Sequence, residues 1–333
     1  MSLIHRREFL ASVTAATAAG SLVSLPTPVR AASDDPGLKL EGIFPIMQTP
    51  FTDSGALDID TLVREAQWLH RIGVQGMTWP QLASEYAMLT YDERIAGAEA
   101  IVRTVKALDS RARPGVVIGV QAPDTETAVK YAKHADKLGP DAIIAIPLGG
   151  GLDESKQMDY YSAIGAACSR PLVVQTIGNM SVDLVLRMAQ KIPTLRYVKD
   201  EAGVTLPRLT EYHKRSQTLH VFSGKRGPTF IDELDRGAIG NMPGSGAADL
   251  YVAAWQAWKK GKRDEAMDAF GKVLLFVSAE QAYGLPGQKY LLQLRGVFPN
   301  TKCRNDTTAA VFDEEAKAAI RHAVDYGKKW FKA

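Results

Sequence analysis

Residues 142–146 read Ala-Ile-Ile-Ala-Ile, five apolar residues with no polar position among them. A strand with one face in water alternates apolar and polar residues, whereas a parallel strand is covered on both faces and shows no alternation. The run Leu172-Val173-Val174 has the same character. Both stretches therefore predict buried parallel strands, which need crossover helices between them.

Outward from these runs, a strand-then-helix unit recurs about every 25–30 residues. The predicted strands are 43–47, 74–79, 115–120, 142–146, 172–176, 195–199, 219–223 and 238–242. The intervening segments with helical periodicity include 59–72, 92–108, 125–138, 156–168 and 182–192. Eight such units predict a (β/α)8 TIM barrel over residues 41–246. An open, doubly wound sheet is disfavoured, because Gln48-Thr49-Pro50-Phe51 after the first strand is not a glycine fingerprint.

Beyond the predicted barrel the pattern is helical only, in segments 247–259, 263–281, 285–297 and 313–332. We interpret residues 247–333 as the last barrel helix followed by a C-terminal helical extension. The whole barrel and extension then form one catalytic unit without a second domain.

The first 32 residues have the plan of a bacterial export signal. Arg6-Arg7 is followed by Phe9-Leu10, then by a small-residue apolar run, and Val29-Arg30-Ala31 resembles a cleavage site. The paired arginines predict the twin-arginine type, which exports folded proteins. Cleavage after Ala31 would leave 302 residues with a net charge of +1, so we expect a mature periplasmic protein without a membrane segment.

Composition narrows the class of function. The chain has 333 residues, 46% hydrophobic and 23% charged, which excludes a disordered or disulfide-framework protein. The net charge of +3 gives no reason to expect a nucleic-acid partner. Six histidines lack metal-ligand spacing, and no motif implies a cofactor, so we predict neither a metal nor a cofactor. Cys168 and Cys303, two cysteines 135 positions apart, do not make a disulfide framework; the sequence favours two unpaired thiols and leaves a disulfide between them open.

The chemistry of such a barrel lies at the C-terminal ends of its strands. Lys199 ends the sixth predicted strand, where an ammonium would stand beside an apolar lumen. Desolvation disfavours a charged amine, and the neutral amine is the form that attacks a carbonyl. The alternative is a surface lysine paired with Asp200 or Glu201.

Five motifs in register resemble the dihydrodipicolinate synthase / N-acetylneuraminate lyase superfamily of class I aldolase-type barrels. They are Thr49-Pro50-Phe51, Ser84-Glu85, Leu89-Thr90, Tyr197-Val198-Lys199-Asp200 and Ser223-Gly224. The resemblance spans about residues 41–300 and implies that Lys199 forms a Schiff base with a 2-oxo acid. It also implies a homo-oligomer, a tetramer or a dimer.

Departures from the family pattern favour one branch of it. Gln81-Leu82-Ala83-Ser84-Glu85 replaces the family's carboxylate-binding Gly-Thr-Thr-Gly-Glu, and glycines replace its tyrosine pair after the fourth strand. Ser84-Glu85-Tyr86 and Val174-Gln175 resemble instead the branch that dehydrates 2-keto-3-deoxy sugar acids.

The resulting hypothesis is a Schiff-base lyase acting on a 2-oxo acid, with dehydration or aldol cleavage of a 2-keto-3-deoxy sugar acid as the expected reaction. Glu85 is the first candidate for proton transfer, the alternative being a carboxylate that binds loop amides. Thr49 and Ser84 are predicted to bind the substrate carboxylate or the imine region, and Gln175 a substrate hydroxyl. The resemblance adds Ser223 and Gly224 to the substrate site. Two other functions stay open: a pyruvate-condensing 4-hydroxy-tetrahydrodipicolinate synthase type and a non-catalytic periplasmic 2-oxo-acid binding protein.

Overall fold

The computed structural model describes residues 40–109, 113–150, 153–304 and 311–332, so the predicted export signal lies outside the described residues. Within them the strands are β1 (Gly42–Ile43), β2 (Gly76–Trp79), β3 (Gly115–Gly119), β4 (Ala142–Ala145), β5 (Leu172–Thr176), β6 (Leu195–Asp200), β7 (His220–Ser223) and β8 (Gly240–Asn241). The helices that follow them in turn are α1 (Ile59–Ile72), α2 (Tyr91–Lys106), α3 (Thr125–Leu138), α4 (Glu154–Ala167), α5 (Val182–Lys191), α6 (Thr205–Arg215), α7 (Phe230–Asp235) and α8 (Ala248–Lys259). Two further helices, α9 (Arg263–Leu294) and α10 (Glu314–Gly327), form the C-terminal extension.

The strands form a ring in the order β1-β8-β7-β6-β5-β4-β3-β2, and the paired strands are parallel. The ring closes between β1 and β2 through a bridge at Ile46 and Thr78. There Met47 N donates to Thr78 O at 3.0 Å, and Thr78 N donates to Pro45 O at 2.9 Å. The predicted (β/α)8 barrel with a helical extension is confirmed.

Polar caps fix where several barrel helices begin. Asp58 accepts from Thr61 N at 3.0 Å, and Asp124 accepts from Thr127 N at 2.7 Å, each at a predicted helix start. A side-chain cap of this kind stabilises a helix by about 1 kcal/mol. Among the described helices, none is both long enough and apolar enough to cross a membrane.

Two apolar layers lie on the two faces of the sheet. One is a cluster inside the lumen, made of Leu40, Phe44, Ile46, Val117, Ala142, Ile144, Val173, Tyr197, Phe222, Ile239 and Met242. A larger cluster lies between strands and helices and includes Ile143 and Ala145, the neighbours of Ile144 on the same strand. Alternate residues of β4 therefore face opposite layers, both buried, as its uninterrupted apolar sequence requires.

The same alternation aims polar side chains into the barrel mouth. Tyr197 on β6 and Val173 on β5 belong to the lumen cluster. Two residues further along, on the same face of each strand, are Lys199 and Gln175, which pair in the strand register. The lumen core thus ends, at the C-terminal side, in these two polar groups.

The extension contributes to the mouth because α9 is broken. Gly284 has φ 59° and ψ −149°, a backbone conformation that glycine adopts readily and other residues avoid. Pro286 follows inside the helix and has no N–H to donate. The second half of α9 consequently changes direction and brings Leu285 and Gln288 against the mouth of the barrel.

Candidate active site

A cavity of about 430 Å³ opens at the C-terminal ends of the strands. Its wall is formed by strand ends, the loops that follow them and the second half of α9. The lining residues are Ile46, Gln81, Leu82, Ala83, Gln175, Ile177, Lys199, Glu201, Lys225, Arg226, Met242, Pro243, Gly244, Leu285 and Gln288. This volume lies within the usual range of small-molecule sites.

Lys199 and Glu201 form an ion pair in this cavity. Lys199 is 5% exposed, and its Nζ lies 3.2 Å from Glu201 Oε1. The Lys199 side chain comes from the lumen face of β6, so its amine is surrounded by barrel rather than by bulk water. A nearly buried amine with one carboxylate beside it can act as a nucleophile and exchange protons locally.

Three neighbours hold the Glu201 carboxylate. Gln175 Nε2 donates to Oε2 at 2.6 Å, and Lys225 N donates to Oε1 at 2.8 Å. Burial opposes ionisation, but the Lys199 charge and these hydrogen bonds outweigh it and lower the pKa of Glu201. Gly224 leaves room for this carboxylate, because a Cβ there would lie 2.2 Å from Glu201 Cγ.

The strand end beneath the ion pair is anchored separately. Asp200 is fully buried and accepts from Arg208 Nε at 2.9 Å and from Arg208 Nη2 at 2.8 Å. Thr176 Oγ1 donates to Asp200 Oδ1 at 2.7 Å and accepts from Glu201 N at 3.0 Å. Asp200 therefore turns away from Lys199, and the two carboxylates after Lys199 have different roles.

The loop after β7 adds positive charge to the wall. Lys225 and Arg226 have φ of 50° and 63°, in the left-handed region that non-glycine residues seldom occupy. Lys225 Nζ donates to Gly203 O at 2.6 Å, and Tyr251 OH donates to Arg226 O at 2.5 Å. This strained turn places both cations beside the cavity, where an anionic substrate would benefit from them.

Thr49 and Ser84 are fully buried and do not line the cavity. Thr49 Oγ1 donates to Ser84 O at 2.5 Å, and Ser84 Oγ donates to Met47 O at 2.5 Å. Both hydroxyl protons thus connect the loop after β2 to the segment that follows β1. Leu82 and Ala83, next to Ser84, do line the cavity. The predicted substrate contacts of Thr49 and Ser84 stay predictions.

Glu85 lies behind the cavity wall with its side chain fully buried. Lys289 Nζ lies 2.5 Å from its Oε2, and Arg304 N donates to its Oε1 at 2.7 Å. In this arrangement the carboxylate binds a backbone amide and a cation, as in the alternative considered from sequence. Its role in proton transfer stays a prediction.

Ser223 ends β7 and is also buried. Its Oγ accepts from Asn241 Nδ2 at 2.5 Å, which connects β7 to β8. Ser223 does not line the cavity, and Gly224 reaches the site through its contact with Glu201. The structure therefore brings Lys199, Gln175 and Gly224 together around one carboxylate, with Thr49, Ser84, Glu85 and Ser223 in surrounding layers.

Sequence reasoning missed the central position of Glu201, and it missed Gln81 and Gln288. Glu201 had a signal, because residues two apart in an extended chain share a face and Lys199 was already singled out. Gln81 was noted only as a departure from a family segment. No local sequence pattern predicted Gln288 as a site residue, because it reaches the cavity only through the bend of α9 at Gly284.

A parallel (β/α)8 barrel with a buried lysine and a carboxylate at its strand ends defines a class of barrel lyases. The family model described as "Dihydrodipicolinate synthetase family" matches residues 39–325, and the chain belongs to this family.

Relatives in this family include two sugar-acid lyases. The L-2-keto-3-deoxyarabonate dehydratase of Azospirillum brasilense is 25% identical over 79% of this chain and 87% of the relative. The Escherichia coli protein named "Probable 2-dehydro-3-deoxy-D-pentonate aldolase YjhH" is 28% identical over 85% of this chain and 95% of the relative. The chain is accordingly a lyase of this family.

A solved structure shares the fold. YagE from Escherichia coli, a prophage protein of the dihydrodipicolinic acid synthase family determined in complex with pyruvate, superposes with a TM-score of 0.78. It is 21% identical, and the match covers 87% of this chain and 99% of YagE.

Proposed function

We propose that this protein is a Schiff-base lyase that acts on a 2-keto-3-deoxy sugar acid, with Lys199 as the nucleophile. The observation that carries the proposal is the Lys199 Nζ, nearly buried at the end of β6, in a cavity and 3.2 Å from an ionised carboxylate. The names of the two relatives, a dehydratase and an aldolase of such acids, support the substrate class.

The first step joins the amine to the substrate. Lys199 first passes a proton to Glu201, and the neutral amine attacks the C2 carbonyl carbon. The C2 oxygen then leaves as water, carrying that proton and a second one from the nitrogen, which gives a protonated imine. Lys225 and Arg226 attract the substrate carboxylate to the same wall. Glu201 is the carboxylate within reach of the nitrogen and moves these protons.

Dehydration then follows from the acidity of C3. The Glu201 carboxylate removes a C3 proton, and the electrons of that C–H bond pass through C2 to the imine nitrogen, giving an enamine. The nitrogen pair then returns, a C3–C4 double bond forms, and the C4 hydroxyl leaves with the proton that Glu201 acquired. Hydrolysis of the imine restores Lys199. One molecule of water is lost from the substrate, and no oxidant or reductant is needed.

Aldol cleavage uses the same imine. Removal of the C4 hydroxyl proton breaks the C3–C4 bond, releases an aldehyde and leaves the enamine of pyruvate, which takes a proton at C3. The name of the YjhH relative favours this second outcome. Pyruvate condensation is the reverse of this cleavage, because the enamine of pyruvate forms a bond to an aldehyde carbon. A binding protein would stop before any carbon–carbon or carbon–oxygen bond of the substrate chain breaks.

Trapping tests the Schiff base. The protein is mixed with pyruvate and sodium borohydride, digested, and the modified peptide is identified by mass spectrometry. We expect an adduct on Lys199 that is lost in Lys199→Arg and kept in Lys214→Arg, an exposed lysine. An unmodified Lys199 with pyruvate overturns the proposal. Product analysis with a 2-keto-3-deoxy pentonate then separates water loss from pyruvate release.

We infer that the chain is exported through residues 1–32 and that it assembles into dimers or tetramers. The twin arginines and the small residues before Ala32 support export. Met267, Leu274 and Leu275 support assembly, because these exposed apolar side chains share one face of α9.

N-terminal sequencing of the periplasmic fraction should begin at Ala32, and lysines in place of Arg6 and Arg7 should keep the protein in the cytoplasm. An unprocessed N-terminus in the native host contradicts export. Light scattering of the mature chain should give a dimer or tetramer mass, and a monomer mass at micromolar concentration contradicts assembly.

A further inference from the structure

Two residues that line the cavity have a buried amide oxygen with no hydrogen-bond donor within the described part of the chain. These oxygens are Gln81 Oε1 and Gln175 Oε1, on residues that are 1% and 0% exposed. Both residues line the cavity that contains Lys199. A buried carbonyl oxygen without a donor is unfavourable, so each of these two oxygens needs an explanation, and a donor on a bound ligand provides one.

The orientation of the Gln81 amide is determined by a chain of hydrogen bonds that starts at a backbone carbonyl. Gln121 Nε2 donates to Pro80 O at 2.8 Å, and a carbonyl oxygen can only accept. The remaining Gln121 Oε1 must therefore accept, and it does so from Gln81 Nε2 at 3.0 Å. Gln81 Oε1 is left as the free end, and it is an acceptor.

The end of β3 is shaped around this pair of amides. A Cβ on Gly119 would lie 2.0 Å from Pro80 O and 2.9 Å from Gln81 Nε2, so a larger residue would displace them. Arg94, 5% exposed, donates to Gly119 O at 2.7 Å and to Gln121 O at 2.5 Å. The position of the Gln121 amide is thus set by a buried guanidinium and a glycine.

Gln175 is oriented in the same manner from another part of the ring. Its Nε2 donates to Glu201 Oε2 at 2.6 Å, and an ionised carboxylate can only accept. Its Oε1 is consequently also a fixed acceptor. Gln175 is the last but one residue of β5 and Gln81 follows β2, three strands apart in the ring of eight, so the two residues line the cavity from different parts of the ring.

We propose that Gln81 and Gln175 accept hydrogen bonds from two hydroxyl groups of the substrate, so that the cavity selects 2-oxo acids with hydroxyls on both C4 and C5. Gln175 adjoins Lys199 and Glu201 and takes the C4 hydroxyl, which is nearer the imine, and Gln81 takes the C5 hydroxyl. Gln121 is a positioning residue that acts through Gln81. This inference rests on the proposed function, because it uses the Lys199 imine as the fixed end of the substrate.

Because both oxygens are acceptors, they determine which 2-oxo acids the cavity rejects. An acceptor gains nothing from a methyl group and is repelled by a carboxylate, so the tail must bring hydrogen-bond donors. A site built to bind a hydroxyl discriminates against the analogue without it by as much as about 10⁴-fold, since its own polar group then stays unpaired.

A matched pair of acids tests the inference. We compare a 2-keto-3-deoxy pentonate, with hydroxyls on C4 and C5, against 4-hydroxy-2-oxopentanoate, which lacks only the C5 hydroxyl. The unsubstituted protein should favour the first acid by at least about 100-fold in kcat/KM. Gln81→Met should reduce that ratio to within about 5-fold, whereas Gln256→Met, at an exposed position, should leave it unchanged. Equal kcat/KM for the two acids in the unsubstituted protein overturns the inference, as does a full ratio in Gln81→Met.

Gln121→Met tests the positioning role. The ratio between the two acids should fall with the substitution, while trapping of pyruvate on Lys199 keeps its rate, because pyruvate has no hydroxyl to place. A purely structural effect would lower both together. A ratio unchanged in Gln121→Met overturns the role of Gln121.

Different experimental results overturn the proposed function and the hydroxyl selectivity. Absence of trapping with pyruvate in the unsubstituted protein overturns the proposed function and this inference with it. Normal trapping together with indifference to the C5 hydroxyl overturns this inference alone.

Discussion

Lys289 and Glu85 form an ion pair in which neither side chain is exposed, with Nζ 2.5 Å from Oε2. The two residues are 204 positions apart, one on the second half of α9 and one in the loop after β2. Lys289 Nζ also donates to Lys302 O at 2.6 Å. Buried charge therefore connects the helical extension to the loop that forms one wall of the cavity.

Removing one member of this pair should destabilise the fold strongly. Lys289→Met leaves the Glu85 carboxylate buried without its cation, which typically costs about 3–5 kcal/mol. Urea unfolding followed by circular dichroism measures the loss. Lys317→Met, which breaks the solvent-exposed pair with Glu314, is the control and should have little effect. A stability close to that of the unsubstituted protein in Lys289→Met would contradict this account of the extension.

Substitution of the two candidate carboxylates for proton transfer, Glu201 and Glu85, should affect kcat to different extents. Glu201→Gln keeps the shape of the side chain but removes the group beside Lys199, so we expect kcat to fall by about 10²–10⁴-fold. Glu85→Gln disturbs the ion pair with Lys289, so its main effect should be on the free energy of unfolding. Steady-state assays and urea titrations of both variants provide the comparison. A larger loss of kcat in Glu85→Gln at unchanged stability would reverse the assignment and restore the proton-transfer role predicted for Glu85.

Acid should reduce catalysis only at low pH. The pKa of Glu201 is lowered, because the Lys199 charge and hydrogen bonds outweigh the effect of burial. The carboxylate therefore stays ionised through the ordinary glutamate range, and protonation should abolish proton transfer only below the usual value of 4.5. The acid limb of kcat against pH measures this. An acid limb above pH 5 that disappears in Glu201→Gln would contradict it.

The barrel could be predicted from sequence because its strands are short, apolar and regularly spaced. The strand at Leu172–Thr176 and the helix at Ile59–Ile72 have their predicted bounds. The first strand was predicted over 43–47 but pairs continuously only at Gly42–Ile43. Its later residues meet β2 through the bridge at Ile46, and Pro45 in between has no N–H to donate.

The sequence could predict only those site residues whose position follows from their place on a barrel strand. Lys199 and Gln175 are each the last but one residue of a barrel strand, and the alternation of side chains places them on the lumen face. The partner of Glu85 depends on the bend at Gly284 and on a contact across 204 positions, which no local pattern encodes. The free oxygens of Gln81 and Gln175 likewise emerge only once their hydrogen-bond partners are known.

The pair formed by Glu93 and Arg304 should give the protein an acid-sensitive contact. The hydrogen bond from Arg304 lowers the pKa of Glu93 from 4.5 to about 2. Partial burial opposes this shift, and the hydrogen bond from Thr90 N adds to it. A lowered pKa contributes stability that is complete above pH 4.5 and is lost as the pH falls towards 2. The Tm difference between the unsubstituted protein and Glu93→Gln should therefore be largest above pH 5 and shrink below pH 4. The amide oxygen that Glu93→Gln introduces would still accept from Thr90 N, so the helix cap is kept.

A double variant isolates this contact. In an Arg304→Met background, Glu93→Gln should change Tm much less at neutral pH, because the guanidinium that stabilises the charge is gone. An unchanged effect in that background would show that Arg304 is not the cause.

Glu65 should make the protein less stable as the pH rises. Its side chain is fully buried on α1, and burial raises its pKa to about 8 against the opposing effects of Ser245, Gln48 N–H and the Lys289 charge. The folded chain keeps a proton between pH 4.5 and 8 that the unfolded chain releases, so the free energy of unfolding should fall by about 1.4 kcal/mol for each pH unit in that window. Glu65→Gln keeps an acceptor for Gln48 N, which lies 3.2 Å from Glu65 Oε1, and removes the titration. Urea unfolding at pH 5, 6, 7 and 8 measures the free energy of unfolding of both proteins. The value for Glu65→Gln should rise relative to that of the unsubstituted protein at each pH step. A constant difference over that range would mean that Glu65 is already ionised in the folded barrel.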